Sequence, residues 1–299
     1  MEHSKFGAFM IQCNKCSRGW SLSEDDMKKS IIVCQDPECK NEFSIYEGIK
    51  NGLKKVEDHI TPNVFLANEM YYFSIDVRIG YTKQVELPEN IKKIYKVMLF
   101  PIGPFLAGAT DITSNGFNVF TSLAEHSDPS IIGEVGKIMI TVNYKSEDYE
   151  VPWLHMLQYA FDQLRSEEYL MSILLSEIAL ETYVDSTLTL GYSEIGLDKD
   201  SISRLLKAAE IPVKVNPLMN NLFGVKLATS SSWSKWEKKV LKWRNEIAHG
   251  TKVKATKEEA ILAYETVVDS IFHFIEGVDN HLKKKGYVNG LFFRSHTGS

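Results

Sequence analysis

Two groups of residues in this 299-residue chain are of types and spacings that can do chemistry. The first is a set of thiols. All four cysteines fall early, Cys13 and Cys16 followed by Cys34 and Cys39, in a C-x2-C-x17-C-x4-C pattern. Two close pairs separated by about 15 to 20 residues suit tetrahedral thiolate coordination, because each short turn supplies two sulfurs and the strands between bring the turns together. A disulfide framework would need an exported chain, and a redox motif would need C-x-x-C to open a helix after a strand; neither context is present. The expectation is a structural zinc ion held by Cys13, Cys16, Cys34 and Cys39 in a zinc ribbon. Trp20, Ile31 to Val33 and Phe43 to Ile45 supply its packing. Four sulfurs fill such a site without help from His3 or His59. A ribbon either staples a domain too small to fold alone or binds a partner. Residues 1–60 carry 9 basic and 10 acidic side chains, so no cationic face for nucleic acid is evident there.

The second group lies late in the chain, around Arg244, Asn245 and His249. Trp233, Trp236, Val240, Trp243 and Ile247 recur at spacings of three and four, the stripe by which a helix would be buried. At about 100° per residue Arg244 lies about 40° from Val240, at the edge of that stripe, so its guanidinium needs a partner. Glu177, Glu181 and Asp185 form a column at four-residue spacing on a preceding helical stretch, and Glu181 is the expected partner. A solvated acidic stripe is the plain alternative. His249 falls at the helix end, where Gly250 would let the backbone turn and bring the imidazole toward the arginine. Residues 226–257 hold 9 basic and 2 acidic side chains, a local +7 inside a protein of net charge −5. Lys235, Lys238, Lys239, Lys242, Lys252 and Lys254 are its expected contacts with a polyanion. A solvated lysine face is the alternative.

The elements that must position these residues can be read from periodicity. From Val64 to Tyr144 short runs rich in Val, Ile, Phe and Tyr are separated by turn residues, the mark of a β segment. Its expected strands are Met70 to Tyr81, Ile94 to Phe100, Phe105 to Thr113, Phe117 to Leu123 and Lys137 to Tyr144. Ser114-Asn115-Gly116 is the expected hairpin turn. Nothing in this segment has catalytic spacing, so it reads as a structural module or a sensor. After Pro152 helical periodicity takes over, with candidate helices Trp153 to Leu164, Glu167 to Leu190, Ser201 to Ala209, Pro217 to Phe223, Trp233 to His249 and Lys257 to Lys284. Thr256-x-x-Glu259 is a capping box for the last. The fold class is therefore multidomain α+β. Its expected parts are a zinc ribbon (1–60), a β-sandwich-like domain (61–150), an α-helical bundle (151–286) and a tail (287–299).

The string Trp243-Arg244-Asn245-Glu246-Ile247-Ala248-His249-Gly250 resembles the signature of the HEPN superfamily, whose hallmark is Arg, four to six residues, then His, with a polar residue directly after the Arg. The likeness covers residues 153–285 and does not reach the cysteines or the β segment. It implies a metal-independent endoribonuclease, active as a homodimer that brings two Arg-His pairs into one cleft, and often a regulated toxin or antiviral defence effector. The 2′-hydroxyl of RNA would attack the adjacent phosphate and leave a 2′,3′-cyclic phosphate. His249 would serve the proton transfer, Arg244 the developing anion, Asn245 substrate orientation and Glu181 the positioning of the pair. The ribbon and β domain would then sense a trigger or inhibitor. A non-catalytic RNA- or ligand-binding adaptor built on the same bundle is the alternative.

The longest apolar run, Val97 to Ala109, is interrupted by Pro101 and Pro104 and falls short of the roughly 20 residues of a membrane span. Phe6 to Ile11 is not a secretory signal. The expectation is a cytoplasmic protein with no membrane partner.

Overall fold

The computed structural model describes residues 2–4, 10–21, 29, 31–54, 67, 69–146 and 151–285. His59, the expected start of the β segment at Val64 and the 287–299 tail lie outside the described residues. The fold is mixed α and β, with the four cysteines near the start of the chain and helices after Pro152. Two compact units interleave along the chain. One comprises Met1–Ile11, Gly19–Ile32 and Asn63–Tyr149; the other comprises Gln12–Arg18, Val33–Pro62 and Glu150–Ser299. All four cysteines therefore belong with the helices.

In the β unit a four-stranded antiparallel sheet has the order β1 (Glu2–Ser4), β6 (Glu69–Arg78), β11 (Val135–Lys145), β8 (Lys93–Ile102). A three-stranded antiparallel sheet has the order β7 (Thr82–Glu86), β10 (Gly116–Leu123), β9 (Phe105–Thr113). Alternate residues from both sheets make one core: Val77, Ile138, Ile140 and Val142 from the first, and Val85, Phe105, Phe117 and Val119 from the second. The five expected strands are present with shifted ends. The additions are β1, from the start of the chain, and β7, whose single apolar residue, Val85, gave no alternation to detect. The short strands β2 (Met10–Gln12) and β3 (Gly19–Ser21) pair with each other, as do β4 (Ile31–Val33) and β5 (Glu42–Ser44).

The turn through Ser114-Asn115-Gly116 joins β9 to β10 as expected, and Asn115 O accepts from Leu87 N at 2.9 Å. Glycine is needed at 116 because a Cβ there would lie 2.2 Å from the Val85 carbonyl oxygen, which β7 cannot move away.

In the helical unit the elements are α1 (Ile45–Lys54), α2 (Pro152–Arg165), α3 (Tyr169–Glu194), α4 (Lys199–Ala208), α5 (211–223), α6 (233–248) and α7 (Lys257–Lys284). α3 and α7 pack on each other and on α2. Ile173, Leu180, Val184, Leu188, Val267, Ile271, Phe274 and Val278 are buried between them. The capping box opens α7: Glu259 N donates to Thr256 Oγ1 at 3.3 Å and Thr256 N to Glu259 Oε2 at 3.0 Å. α5 and α6 each contain one π turn, Lys214–Leu218 and Trp236–Val240. Pro217 lies in the first, where its missing N–H removes an α-helical bond. Among the described residues no helix is long and apolar enough to cross a membrane.

α1 explains why the cysteines join this unit. Its residues Ile45, Gly48, Ile49, Gly52 and Leu53 form one buried face, and it docks on α7. Lys54 Nζ pairs with Asp269 at 2.9 Å, Tyr46 OH donates to Asp279, and Tyr264 OH donates to Leu53 O at 3.3 Å.

Gly116→Ala is expected to destabilise the β unit by about 1–3 kcal/mol, the cost of forcing bulk into a packed contact. A urea midpoint equal to that of the wild type would show that the Val85 contact is slack.

Candidate functional site

The four sulfurs converge. All lie within 4.8 Å of one another, with Cys13 to Cys39 at 3.8 Å and Cys16 to Cys34 at 3.5 Å. A tetrahedron with metal–sulfur bonds of about 2.3 Å has edges of about 3.8 Å, whereas a disulfide needs about 2.05 Å. Each pair sits in a tight turn. Cys13 N donates to Arg18 O at 3.0 Å, and Cys34 N donates to Asn41 O at 2.8 Å. Ser17, directly after Cys16, and Lys40, directly after Cys39, both take positive φ, 62° and 45°. Amides of Lys15 and Asp36 approach Cys13 and Cys34 Sγ at 3.4 and 3.5 Å. Asn14 ties the turns together, receiving Asn41 Nδ2 at 2.6 Å and donating to Glu47 of α1 at 2.6 Å.

The thiols do not behave alike. Burial resists ionisation of Cys13, but the amides of Cys16 and Lys15 outweigh it and hold the thiol at about 6. Burial and the neighbouring thiols push Cys34 up to about 12 and raise Cys39. Sulfurs this crowded cannot all ionise unless a cation neutralises them. They are soft donors in the right number and arrangement to hold one metal ion, compatible with zinc.

The carboxylate column on α3 is not a solvated stripe, for each member meets a partner from another helix. Glu177 is fully buried and both its oxygens accept from Trp236 Nε1, at 2.9 and 3.2 Å. Glu181 Oε2 lies 3.4 Å from Arg244 Nη2. Asp185 pairs with Lys214 at 2.9 Å. Burial drives the Glu177 carboxyl up to about 8, with the Trp236 hydrogen bond opposing. Trp236 and Lys214 are the partners that the sequence did not disclose; Trp236 read only as part of an apolar stripe, and both lie in π turns.

The structure brings Arg244, Glu181 and Asn245 together. Arg244 Nη1 donates to Asn245 Oδ1 at 3.2 Å, and its buried Nε has no partner. His249 caps α6 through its own N–H to Asn245 O at 3.0 Å, and its side chain is exposed. Among the described residues no hydrogen bond or ion pair joins its imidazole to Arg244. Gly250, at φ +70°, turns the chain after His249, and five α-helical steps correspond to about 140° around the helix from Arg244.

The buried stripe of α6 also ends early. Trp236 and Val240 are fully buried, but Trp243 and Ile247 are only half-buried, so the end of the helix lies at the surface. Lys235, Lys238, Lys239, Lys242 and Lys254 are exposed. Lys252 differs: its Nζ bonds Glu259 at 2.9 and 3.1 Å and sits 5.4 Å from the Trp243 ring centroid, which fastens the loop to α7. The β unit has an open cavity of about 700 Å³, lined by residues that include Tyr72, Phe73, Lys83, Ile102, Lys137 and Met139.

No family model, curated protein or solved structure matches the chain.

With metal bound, the four thiols are expected to resist a thiol reagent, and a chelator should release one ion per chain and expose all four; rapid labelling before chelation would argue against a metal centre. Glu177 supplies a pH dependence. Its folded value is raised, so its contribution is fullest below the unfolded value of about 4.3 and is lost as pH rises toward about 8. Melting temperature should fall over that window in the wild type and fall less in Glu177→Gln. Parallel curves would mean that the buried acid does not titrate there.

Proposed function

We propose that this protein is a metal-independent endoribonuclease of the HEPN type, with its active residues on α6. The observation that carries the reading is the Arg244 guanidinium, held by Glu181 and Asn245 at the surface end of a helix that also presents His249 and four exposed lysines. Arginine offers a charged planar fork to phosphate oxygens, and histidine can transfer a proton near neutral pH. In the step proposed, the RNA 2′-oxygen bonds to the adjacent phosphorus and the P–O5′ bond breaks. Arg244 stabilises the developing negative charge and the imidazolium of His249 protonates the departing 5′-oxygen, leaving a 2′,3′-cyclic phosphate. Asn245 orients the substrate, and Lys235, Lys238, Lys239, Lys242 and Lys254 hold its backbone, with Lys252 in a bracing role.

An exposed His249 that makes no bond to Arg244 among the described residues fits a homodimer through the helical domain, in which two such pairs share a cleft. Cys13, Cys16, Cys34 and Cys39 hold a structural zinc, which supplies no catalytic step. Cysteines that form no disulfide suit a reducing compartment such as the cytoplasm. The cavity of the β unit offers room for a trigger or inhibitor, as a regulated toxin or defence effector would need. The competing reading, a non-catalytic RNA- or ligand-binding adaptor, is favoured by one feature: Arg244 is already paired with Glu181, as an arginine that only organises a bundle would be.

Metal-loaded protein incubated with RNA in the presence of free chelator decides between them. His249→Ala and Arg244→Ala should each slow cleavage by about 10²-fold or more, and the products should end in cyclic phosphate. Equal cleavage by wild type and both variants, or none by any with the trigger supplied, would overturn the catalytic reading. Charge reversal of Lys238, Lys239 and Lys242 together should weaken RNA binding steeply and flatten its salt dependence. Unchanged affinity would place nucleic-acid binding elsewhere, first at the metal ribbon.

A further inference from the structure

We propose that Glu177 is the positioning residue of the Arg244 site: it sits in the core as a neutral acid, anchors α6 through Trp236, and leaves Glu181 as the anion that holds the guanidinium. The inference rests on the ribonuclease reading for its functional consequence, but its structural content stands by itself.

Geometry makes the first argument. Glu177 is fully buried, and the bond recorded to its oxygens comes from the Trp236 indole, an uncharged donor. An ionised carboxylate so enclosed would need a cation or several strong donors. The raised value of its carboxyl, about 8, agrees with a protonated acid at neutral pH. The groups that bear on its charge are Trp236 and Arg244 from α6 and Glu181 from its own helix.

Helical phase makes the second. In an uninterrupted α-helix Arg244 would lie eight steps from Trp236, about 800° or a net 80°, and the two would face different neighbours. The π turn at Trp236–Val240 absorbs one residue, so the count becomes about seven α-helical steps, about 700°, and the offset falls to about 20°. Trp236 and Arg244 then address the same face of α3, where Glu177 and Glu181 stand one turn apart. The Glu177–Trp236 contact is thus the fixed end of the arrangement and the Arg244–Glu181 contact is the working end.

Electrostatics make the third. Were Glu177 ionised, the column would present two anions one turn apart to a single guanidinium. Arg244 Nε is buried and lacks a partner, so the guanidinium has a donor that a second anion can draw inward. Ionisation of Glu177 therefore pulls Arg244 off the surface and switches the site down.

The test uses full-length, metal-loaded protein, with the Trp236 indole N–H and Arg244 Nε–H signals followed by NMR from pH 6 to 9 and assigned through Trp236→Phe and Arg244→Lys. In the wild type the two signals should move together as pH approaches about 8. In Glu177→Gln, which keeps an acceptor for the indole but cannot ionise, both should stay at their low-pH positions. RNA cleavage should fall at least tenfold more steeply between pH 7 and 9 in the wild type than in Glu177→Gln. Glu177→Leu should displace both signals at every pH; if it does not fold, the Glu177→Gln titration still decides. An Arg244 signal that titrates identically in wild type and Glu177→Gln, or that does not move in the wild type, would overturn the proposal. If no form of the protein cleaves RNA while the signals behave as expected, the ribonuclease reading fails and the positioning role stands.

Discussion

A carboxylate cannot be left alone in a protein interior, and the helical unit is arranged around that constraint. α3 turns three acidic side chains, Glu177, Glu181 and Asp185, toward its neighbours at successive turns. Each must be neutralised by charge, by hydrogen bonding or by protonation, since the desolvation cost of an unpaired ion amounts to several kcal/mol. The chain answers differently at each step: an indole N–H for the most buried, a guanidinium for the second, an ammonium for the third. Two of these partners lie within π turns, where an extra residue per turn rotates the following helix into a phase that regular α geometry would not give. The candidate site at Arg244 inherits its position from this set of pairings.

The cysteine cluster is part of the same construction. Four thiols drawn within 4.8 Å resist simultaneous ionisation, and a bound cation removes that conflict. The turns that hold them lead into α1, which is fastened to α7 at both ends, by Tyr46 to Asp279 and by Lys54 to Asp269. A metal ion in the turns would therefore steady a helix belonging to the bundle core. An ion held by the four cysteines would thus brace the helical unit, to which the turns that carry them belong.

Some of this was legible in the residues alone. The cysteine spacing announced a shared site, because ligand geometry follows from short turns whose form is local. The helices from Pro152 onward and the capping box at Thr256 were readable from periodicity, and Glu181 was the natural partner for an arginine at the edge of an apolar stripe. α1 was hidden even though its buried residues follow a helical period, because Gly48 and Gly52 on that face are poor helix formers and only its first residue, Ile45, was read, as packing for the ribbon. β7 was hidden because it has too little apolar residue to alternate.

What the sequence determined by itself, then, are the features set by nearest neighbours along the chain: the thiol pairs, the strand and helix periods, the Asn115-Gly116 turn and the charge window around Arg244. Tertiary structure decided which side chains share a partner and which way they face. It interleaved the cysteines with the helical unit and made the Glu177 acid a core group. It tied Lys252 into the fold and left His249 at the surface. The physical reason is that burial and pairing depend on residues far apart in the chain. A single π turn, which no local pattern announces, changes the face of every residue after it.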